Sequence, residues 1–145
     1  MQFKKIMSGI AAVAVAASCL SFAAFAETNK SGDFEYEVLS NGTVSITGYS
    51  GQDENPEIPA EIDGKSVTQI GYGAFNGCNS LIKVEIPESV TTIGNIAFSH
   101  CISLEEVVIP ESVTEIGESA FFECFALSKV NLPKGLTSIS VEMFM

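Results

Sequence analysis

Apolar residues recur in the second half of the chain with a fixed period of 23 residues. Residues 70–92 and 93–115 are identical at 14 of 23 positions, and residues 116–138 follow the same pattern. Because one block is too short to bury an apolar face alone, whereas stacked blocks bury each other's, the period predicts a solenoid with one continuous core.

The first two blocks carry a Leu-x-x-Val-x-Ile segment and the third carries Leu-x-x-Val-x-Leu, an alternation that is typical of a short strand. Stacked blocks place these strands side by side in a parallel ladder. The positions predicted to face inward are Ile70, Ile93, Ile116 and Ile139; Phe75, Phe98, Phe121 and Phe144; Leu81, Val84 and Ile86; Leu104, Val107 and Ile109; Leu127, Val130 and Leu132; and Val90, Val113 and Leu136.

Proline and glycine recur with the same period. A proline follows each predicted strand, where its missing N–H does least harm to a ladder. A glycine follows the first Ile of each block and indicates either a tight turn or a close approach of two backbones. Residues 74–78 and their equivalents are predicted to form one turn of α- or 3₁₀-helix. The prolines are Pro87, Pro110 and Pro133, and the glycines are Gly71, Gly94 and Gly117.

A different pattern precedes the repeats. Residues 34–38 and 44–49 alternate between apolar and polar side chains, and the Asn41-Gly42 pair between them favours a type I′ turn. We therefore expect an N-terminal β-hairpin that covers the open end of the solenoid. Residues 58–69 are similar to half a repeat with five additional residues.

The repeated pattern I-G-x-x-A-F-x-x-C-x-x-L-x-x-V-x-I-P-x-S-V-T resembles the BspA-like class of leucine-rich repeats, and its period lies within the leucine-rich-repeat range. The resemblance covers residues 70–144 and extends, through the lead-in pattern, to residues 34–69. It implies a β-rich leucine-rich-repeat solenoid in a secreted or surface protein. It also implies protein binding, adhesion in some members, and no catalysis.

The first 26 residues have the three-part pattern of a secretory signal peptide. Lys4 and Lys5 precede an uncharged run over residues 6–26, which closes with small residues that favour cleavage after Ala26. After cleavage, no segment would span a membrane. An uncleaved anchor and lipid modification of Cys19 are the less favoured alternatives.

These patterns divide the chain into four segments. Residues 1–26 are the signal peptide, and residues 27–69 are an N-terminal cap of hairpin and partial repeat. Residues 70–138 hold three 23-residue repeats, and residues 139–145 are a truncated fourth.

Charge excludes some classes of partner. The 145 residues contain no Arg and carry a formal charge of −11, which becomes −13 over residues 27–145. Binding to nucleic acid needs clusters of Lys and Arg, so no nucleic-acid partner is expected. Residues 50–57 form an acidic loop, but Asp53, Glu54 and Glu57 lack EF-hand spacing, which favours a solvated loop over a calcium site.

Three cysteines occupy the same position in successive repeats. Cys78, Cys101 and Cys124 are favoured as buried core thiols, while a disulfide between adjacent coils stays open. A metal cluster that also uses His100 and Glu123 is disfavoured, because the spacing matches no ordered ligand motif.

Catalysis has no support in the sequence. The chain lacks a Gly-x-Ser-x-Gly motif, a Gly-rich phosphate loop and any cofactor motif, so no cofactor and no metal are expected. His100 is the only histidine and has no evident orienting partner. Glu105 and Glu106 are strand neighbours and should point to opposite faces. We therefore predict that the protein is not an enzyme.

The outward face of the strand ladder is the first candidate binding surface. Its alternation predicts a narrow strip of mixed charge without aromatic residues. We call this set the strand strip: Lys83, Glu85, Glu106, Val108, Lys129 and Asn131.

Phe122 and Phe125, here called the corner patch, replace polar or smaller residues of the earlier repeats. The patch is expected either to pack under residues 139–145 or to meet another chain, and the open edge of the last strand favours self-association. Together, the patterns predict a secreted or cell-surface protein that binds a protein or glycan surface of unknown identity. The alternative is a structural N-terminal fragment of a longer repeat protein without a ligand of its own.

Overall fold

The computed structural model describes residues 29–140 and 142–144, so the predicted signal peptide lies outside the described residues. Short strands in this part of the chain form two ladders along one axis. The strands are β1 (Asn29–Ser31), β2 (Phe34–Val38), β3 (Val44–Tyr49), β4 (Glu61–Ile62), β5 (Lys65–Ile70), β6 (Lys83–Glu85), β7 (Thr92–Ile93), β8 (Glu106–Val108), β9 (Glu115–Ile116), β10 (Lys129–Val130) and β11 (Ser138–Ile139).

The smaller sheet is the predicted ladder. Strands β6, β8 and β10 are parallel, and Lys83, Glu106 and Lys129 lie opposite one another in register. The larger sheet runs β1-β2-β3-β5-β7-β9-β11, with β4 paired to β5, and is parallel from β3 onward. Each coil therefore contributes one segment to each sheet, and the predicted solenoid fold is confirmed.

The N-terminal hairpin forms as expected from β2 and β3, and β1 adds a further antiparallel strand that the sequence did not indicate. The predicted type I′ turn is wrong. Of the Asn41-Gly42 pair, Gly42 alone has a positive φ (+83°), whereas a type I′ turn needs a positive φ at both central residues. The amide N–H of Thr43 instead donates to the side-chain oxygen of Asn41 at 3.0 Å, which stabilises the five-residue connection between β2 and β3.

The five additional residues within 58–69 fold as a second hairpin, formed by β4 and β5. Its two-residue turn consists of Asp63 and Gly64, with φ of +51° and +71°. Positive φ at both central positions is the type I′ geometry that right-handed strand twist favours. The Tyr36 hydroxyl donates to the Asp63 carboxylate at 2.5 Å, so the insertion is tied to the N-terminal hairpin.

Stacked aromatic rings form the centre of the core. Phe75 and Phe98 are buried with ring centroids 4.9 Å apart, and Phe121 follows at 5.5 Å. At the N-terminal end, Tyr49 of the hairpin packs on Phe75 at 5.3 Å, so the hairpin covers that end of the ladder.

The inward positions of the last coil are less covered than those of the earlier coils. Leu127, Val130 and Leu136 are only partly buried, and Leu132, predicted to face inward, is 43% exposed. Phe144 stacks on Phe121 at 5.8 Å but remains half-exposed. The reason is that coils bury one another, and no described residue beyond Phe144 covers this coil.

The predicted helical turn is a series of tight turns. Bonds of the 3₁₀ type link Asn76 N to Gly73 O at 3.0 Å and Cys78 N to Phe75 O at 3.1 Å. Intervening N–H groups donate to the next coil, as from Phe75 N to Ala97 O at 2.7 Å. Within residues 29–140 and 142–144, no helix is long and apolar enough to cross a membrane.

The periodic glycines mark close backbone approach. A Cβ on Gly94 would lie 2.8 Å from the carbonyl carbon of Gly71, and one on Gly71 would lie 2.8 Å from the carbonyl oxygen of Ile46. Neither glycine has a positive φ. Successive coils therefore touch at these positions, which settles the choice that the sequence left open.

Candidate functional site

The structure brings the strand strip together on one face. Lys83 and Glu85 of β6 lie beside Glu106 and Val108 of β8, and Lys129 of β10 continues the row. Asn131 follows β10 at the position that Val108 occupies one coil earlier. The side chains reach the same surface because alternate strand residues point to the same side of the sheet.

Charges within the strip pair with one another. The ammonium group of Lys83 lies 2.7 Å from the Glu85 carboxylate and 3.8 Å from that of Glu106, while Lys129 lies 3.5 Å from Glu106. The Glu85 and Glu106 carboxylates, the Glu85 hydrogen bond foremost, raise the pKa of Lys83. These contacts are solvent-exposed, so water and salt screen them and they contribute little to stability.

The strip extends one coil further than the sequence indicated. The carbonyl of Glu54 accepts from the N–H groups of Ile82 (2.7 Å) and Lys83 (3.1 Å), as the carbonyl of Ile82 does from Glu105 (2.8 Å) in the next coil. Glu57 forms a parallel bridge with Glu85. Pro56 occupies the position that Val84 has in the next coil, so residues 54–58 lack the apolar alternation of a strand. Their equivalence to β6 becomes visible in the sequence when the five inserted residues are added to the 23-residue period.

A cavity of about 640 Å³ lies between this segment and β6. Its walls combine apolar surface from Pro56, Ile58 and Pro87 with charged groups. The charged side chains that line it are Glu57, Lys83, Glu85 and Glu88. With three carboxylates against one ammonium group, it favours a cationic or polar ligand over an anionic one.

The corner patch is divided between two environments. Phe122 is half-buried, with its ring edge-on to His100 at 5.6 Å, whereas Phe125 is 76% exposed. The described residues of 139–145 pack on Phe121, and Phe125 is not covered by them. Ile102, 47% exposed, occupies the position of Phe125 one coil earlier.

His100 does have partners, so the expectation that it lacks an orienting group is wrong. Its Nε2 lies 3.3 Å from a Glu123 carboxylate oxygen, and its Nδ1 lies 2.7 Å from the Ser99 hydroxyl oxygen. Glu123 lies one coil away from His100 and Ser99 is its neighbour in the chain. A search for catalytic motifs along the sequence does not detect this combination. Ser99 is 2% exposed, so its hydroxyl is closed to substrate and the arrangement does not form a nucleophilic site.

The three cysteines are free thiols, of which Cys101 is buried as expected, whereas Cys78 and Cys124 are half-buried against the core. The Cys101 and Cys124 thiols donate to the carbonyls of Phe75 and Phe98, each at 3.0 Å. The neighbouring Cys124 thiol and burial raise the pKa of the Cys101 thiol, and burial raises that of Cys78. Among the described residues, no three His, Cys, Asp or Glu side chains are grouped closely enough to hold a metal ion.

The family model for the BspA type leucine-rich repeat region matches residues 55–145, in six copies. No curated protein matches the chain. Solved structures of three bacterial proteins are similar to it. A leucine-rich repeat protein of T. pallidum is 32% identical, with a TM-score of 0.71 over 76% of this chain and 52% of that protein.

A leucine-rich cell surface protein of Faecalibacterium prausnitzii A2-165 is 28% identical, with a TM-score of 0.70 over 80% of this chain and 39% of that protein. A leucine-rich repeat protein of Bacteroides capillosus ATCC 29799 is 29% identical, with a TM-score of 0.72, over 81% of this chain and 91% of that protein. The chain thus spans about half the length of the T. pallidum protein and less of the F. prausnitzii protein.

Proposed function

The chain belongs to the BspA-type leucine-rich repeat family, and from this premise we propose that it is a secreted or cell-surface module that binds a protein surface without catalysis. The observation that carries the proposal is the strand strip, extended by residues 54–58 and bordered by the 640 Å³ cavity. This is a continuous outward face of the repeated strands, and solenoids present their binding surfaces in this way.

The chemistry of the cavity favours a partner segment with basic residues. Glu57, Glu85 and Glu88 surround it, and Lys83 is already paired with Glu85 at 2.7 Å. A Lys or Arg side chain of a partner could therefore meet carboxylates here while its methylene groups contact Pro56 and Pro87. The net charge of −13 over residues 27–145 adds long-range attraction for such a partner.

Secretion and non-catalytic character belong to the same proposal. The charged start, uncharged run and small-residue ending of residues 1–26 support export. One similar structure is of a cell surface protein. The buried Ser99 beside His100 supports a role without nucleophilic chemistry. Export predicts that protein recovered outside the cell begins at Glu27, which intact mass measurement tests.

Binding can be tested with immobilised protein and extended decapeptides that differ only in charge. We expect Lys- and Arg-containing peptides to bind, acidic peptides not to bind, and affinity to fall as salt is raised. Replacing Glu57, Glu85 and Glu88 together by Gln should weaken binding about tenfold or more.

The matched control replaces three exposed carboxylates away from the cavity, those of Glu61, Glu105 and Glu118, so that net charge changes equally. Equal losses in the two triple variants would reduce the effect to net charge and contradict a site at the cavity. Absence of binding to every peptide would instead favour the alternative, a structural unit without a ligand of its own.

A further inference from the structure

A second outward groove crosses the larger sheet, on a face that the strand strip does not include. It has a volume of about 390 Å³ and follows the solenoid axis across three coils. We call it the Tyr72 groove and define it by Gln69, Tyr72, Thr92, Asn95 and Glu115.

The 23-residue period builds this groove. Gln69 lies opposite Thr92, and Thr92 lies opposite Glu115, in the register of β5, β7 and β9. Tyr72 and Asn95 stand one period apart just after the bends. Gly94 and Gly117 lie between the two rows, where a Cβ would meet the preceding coil, so their lack of side chains lets the coils that carry the rows stand close together.

The polar groups of the groove are free, in contrast to those of the strand strip. Over residues 29–140, the side chains of Gln69, Tyr72 and Thr92 take part in no hydrogen bond with the protein. The Asn95 side-chain oxygen accepts from the Glu118 N–H at 3.0 Å, which fixes the orientation of the amide while its NH₂ group stays available. These groups can exchange bonds with water for bonds with a ligand without first breaking an ion pair.

One aromatic face completes the set. Tyr72 is 73% exposed, so its ring face is open to a ligand. A planar ring beside amide, hydroxyl and carboxylate groups suits a ligand with a flat C–H face and many hydroxyl groups, which describes a pyranose sugar. A protein partner would call for several aromatic or Arg-binding anchors, and the groove has one.

Charge narrows the class of sugar. The lining contains Glu115 but no Lys, and the chain as a whole is strongly acidic, so polyuronates and sulfated glycans are repelled. Adjacent coils advance by about 4.8 Å along the axis, which is close to the advance of one sugar unit in an extended β-linked chain.

We propose that the Tyr72 groove binds an uncharged, linear β-linked glycan. Tyr72 stacks on one sugar ring, and Gln69, Thr92 and Asn95 hydrogen-bond to hydroxyl groups of successive units. This site is separate from the strand strip, so it goes beyond the proposed function and does not depend on it.

Calorimetric titration of the purified protein with cellohexaose tests the proposal. We expect measurable binding that Tyr72→Ala weakens at least about tenfold and that Tyr72→Phe largely retains, because the ring face is kept. Phe125→Ala is the matched control, since it removes an equally exposed aromatic ring at another surface, and it should leave cellohexaose affinity unchanged.

Maltohexaose, which has the same composition but curves, and polygalacturonate, which is anionic, should bind at least about tenfold more weakly than cellohexaose. Failure of cellohexaose to bind would overturn the proposal. So would equal losses in Tyr72→Ala and Phe125→Ala, or equal affinity for polygalacturonate. The Glu57, Glu85 and Glu88 triple variant should keep cellohexaose binding, which separates this outcome from failure of the strand-strip proposal.

Discussion

The side-chain amide of Asn131 pairs with both backbone groups of Ile109. Its Oδ1 accepts from Ile109 N–H at 2.9 Å, and its Nδ2 donates to the Ile109 carbonyl at 2.6 Å. The amide thus takes the place of a peptide group where the ladder from β8 to β10 ends at Val130. A residue expected to present a ligand-binding side chain instead stabilises the last coil.

Asn131→Ala should lower the free energy of unfolding by about 1–2 kcal/mol, because it leaves two partly buried backbone groups of Ile109 without their partner. Asn131→Asp should lower it at least as much, since a carboxylate cannot donate to the carbonyl. Urea unfolding gives the values. Lys129→Ala is the control, because that side chain is 74% exposed and its loss should change stability by less than about 0.5 kcal/mol. An unaltered midpoint in both Asn131 variants would contradict the structural role.

The sequence alone was enough to predict the parallel ladder and the strand strip, because a fixed period repeats which side chains pack inward and which point outward in every coil. It was less informative where one coil departs from the pattern. Pro56 concealed the first strand segment, and the Asp63-Gly64 turn has the geometry that was assigned to Asn41-Gly42. Contacts such as Asn131 with Ile109 depend on side-chain geometry between coils, about which the spacing of residues carries no information.

Contact between successive coils at Gly94 predicts a large effect from one methyl group. A Cβ there would lie 2.8 Å from the Gly71 carbonyl carbon, which is backbone and cannot turn away. Gly94→Ala should therefore destabilise the protein by about 1–3 kcal/mol or more. Gly135→Ala is matched in chemistry but meets no atom within 4 Å, and should be neutral or slightly stabilising. Similar melting temperatures for the two variants would show that the coils are not in contact at Gly94.

Tyr36 ties the hairpin of β2 and β3 to the inserted hairpin of β4 and β5. The hydrogen bond to Asp63, with burial and the carboxylate charge, raises the pKa of Tyr36 above 10.0. The folded state then holds the phenol proton more tightly than the unfolded state does. The stabilisation is therefore complete below about pH 10 and is lost as pH rises through the folded pKa.

Tyr36→Phe should lower the free energy of unfolding at pH 7 by about 1–2 kcal/mol, through loss of the bond to Asp63. It should also make unfolding less sensitive to alkali above pH 10 than in the parent protein. The remaining sensitivity includes Tyr49, whose pKa burial also raises. Urea titrations at pH 7 and pH 11 measure both effects, and parallel losses in parent and variant between these pH values would refute the assignment.

The two phenylalanines of the corner patch should separate in their effects. Phe122 is half-buried against His100, so Phe122→Ser should lower the melting temperature. Phe125 is 76% exposed, so Phe125→Ser should leave the melting temperature unchanged and reduce any concentration-dependent association seen by analytical ultracentrifugation. Self-association that persists unchanged in Phe125→Ser would exclude this residue from the contact.

Thiol reactivity distinguishes a buried core position from a disulfide. Cys101 is fully buried, and its neighbouring thiol and burial raise its pKa, as burial does for Cys78. Because the thiolate is the reacting species, iodoacetamide at pH 8 should label both at least about tenfold more slowly in native protein than in urea.

In urea without reductant, Cys78, Cys101 and Cys124 should all be labelled, as peptide mass spectrometry can establish. A reductant-dependent gain of two labels would demonstrate a disulfide between coils and contradict the free thiols. Cys101→Ser, which keeps a donor for the Phe75 carbonyl, should retain more stability than Cys101→Val, which leaves that carbonyl with the Cys78 N–H as its remaining donor.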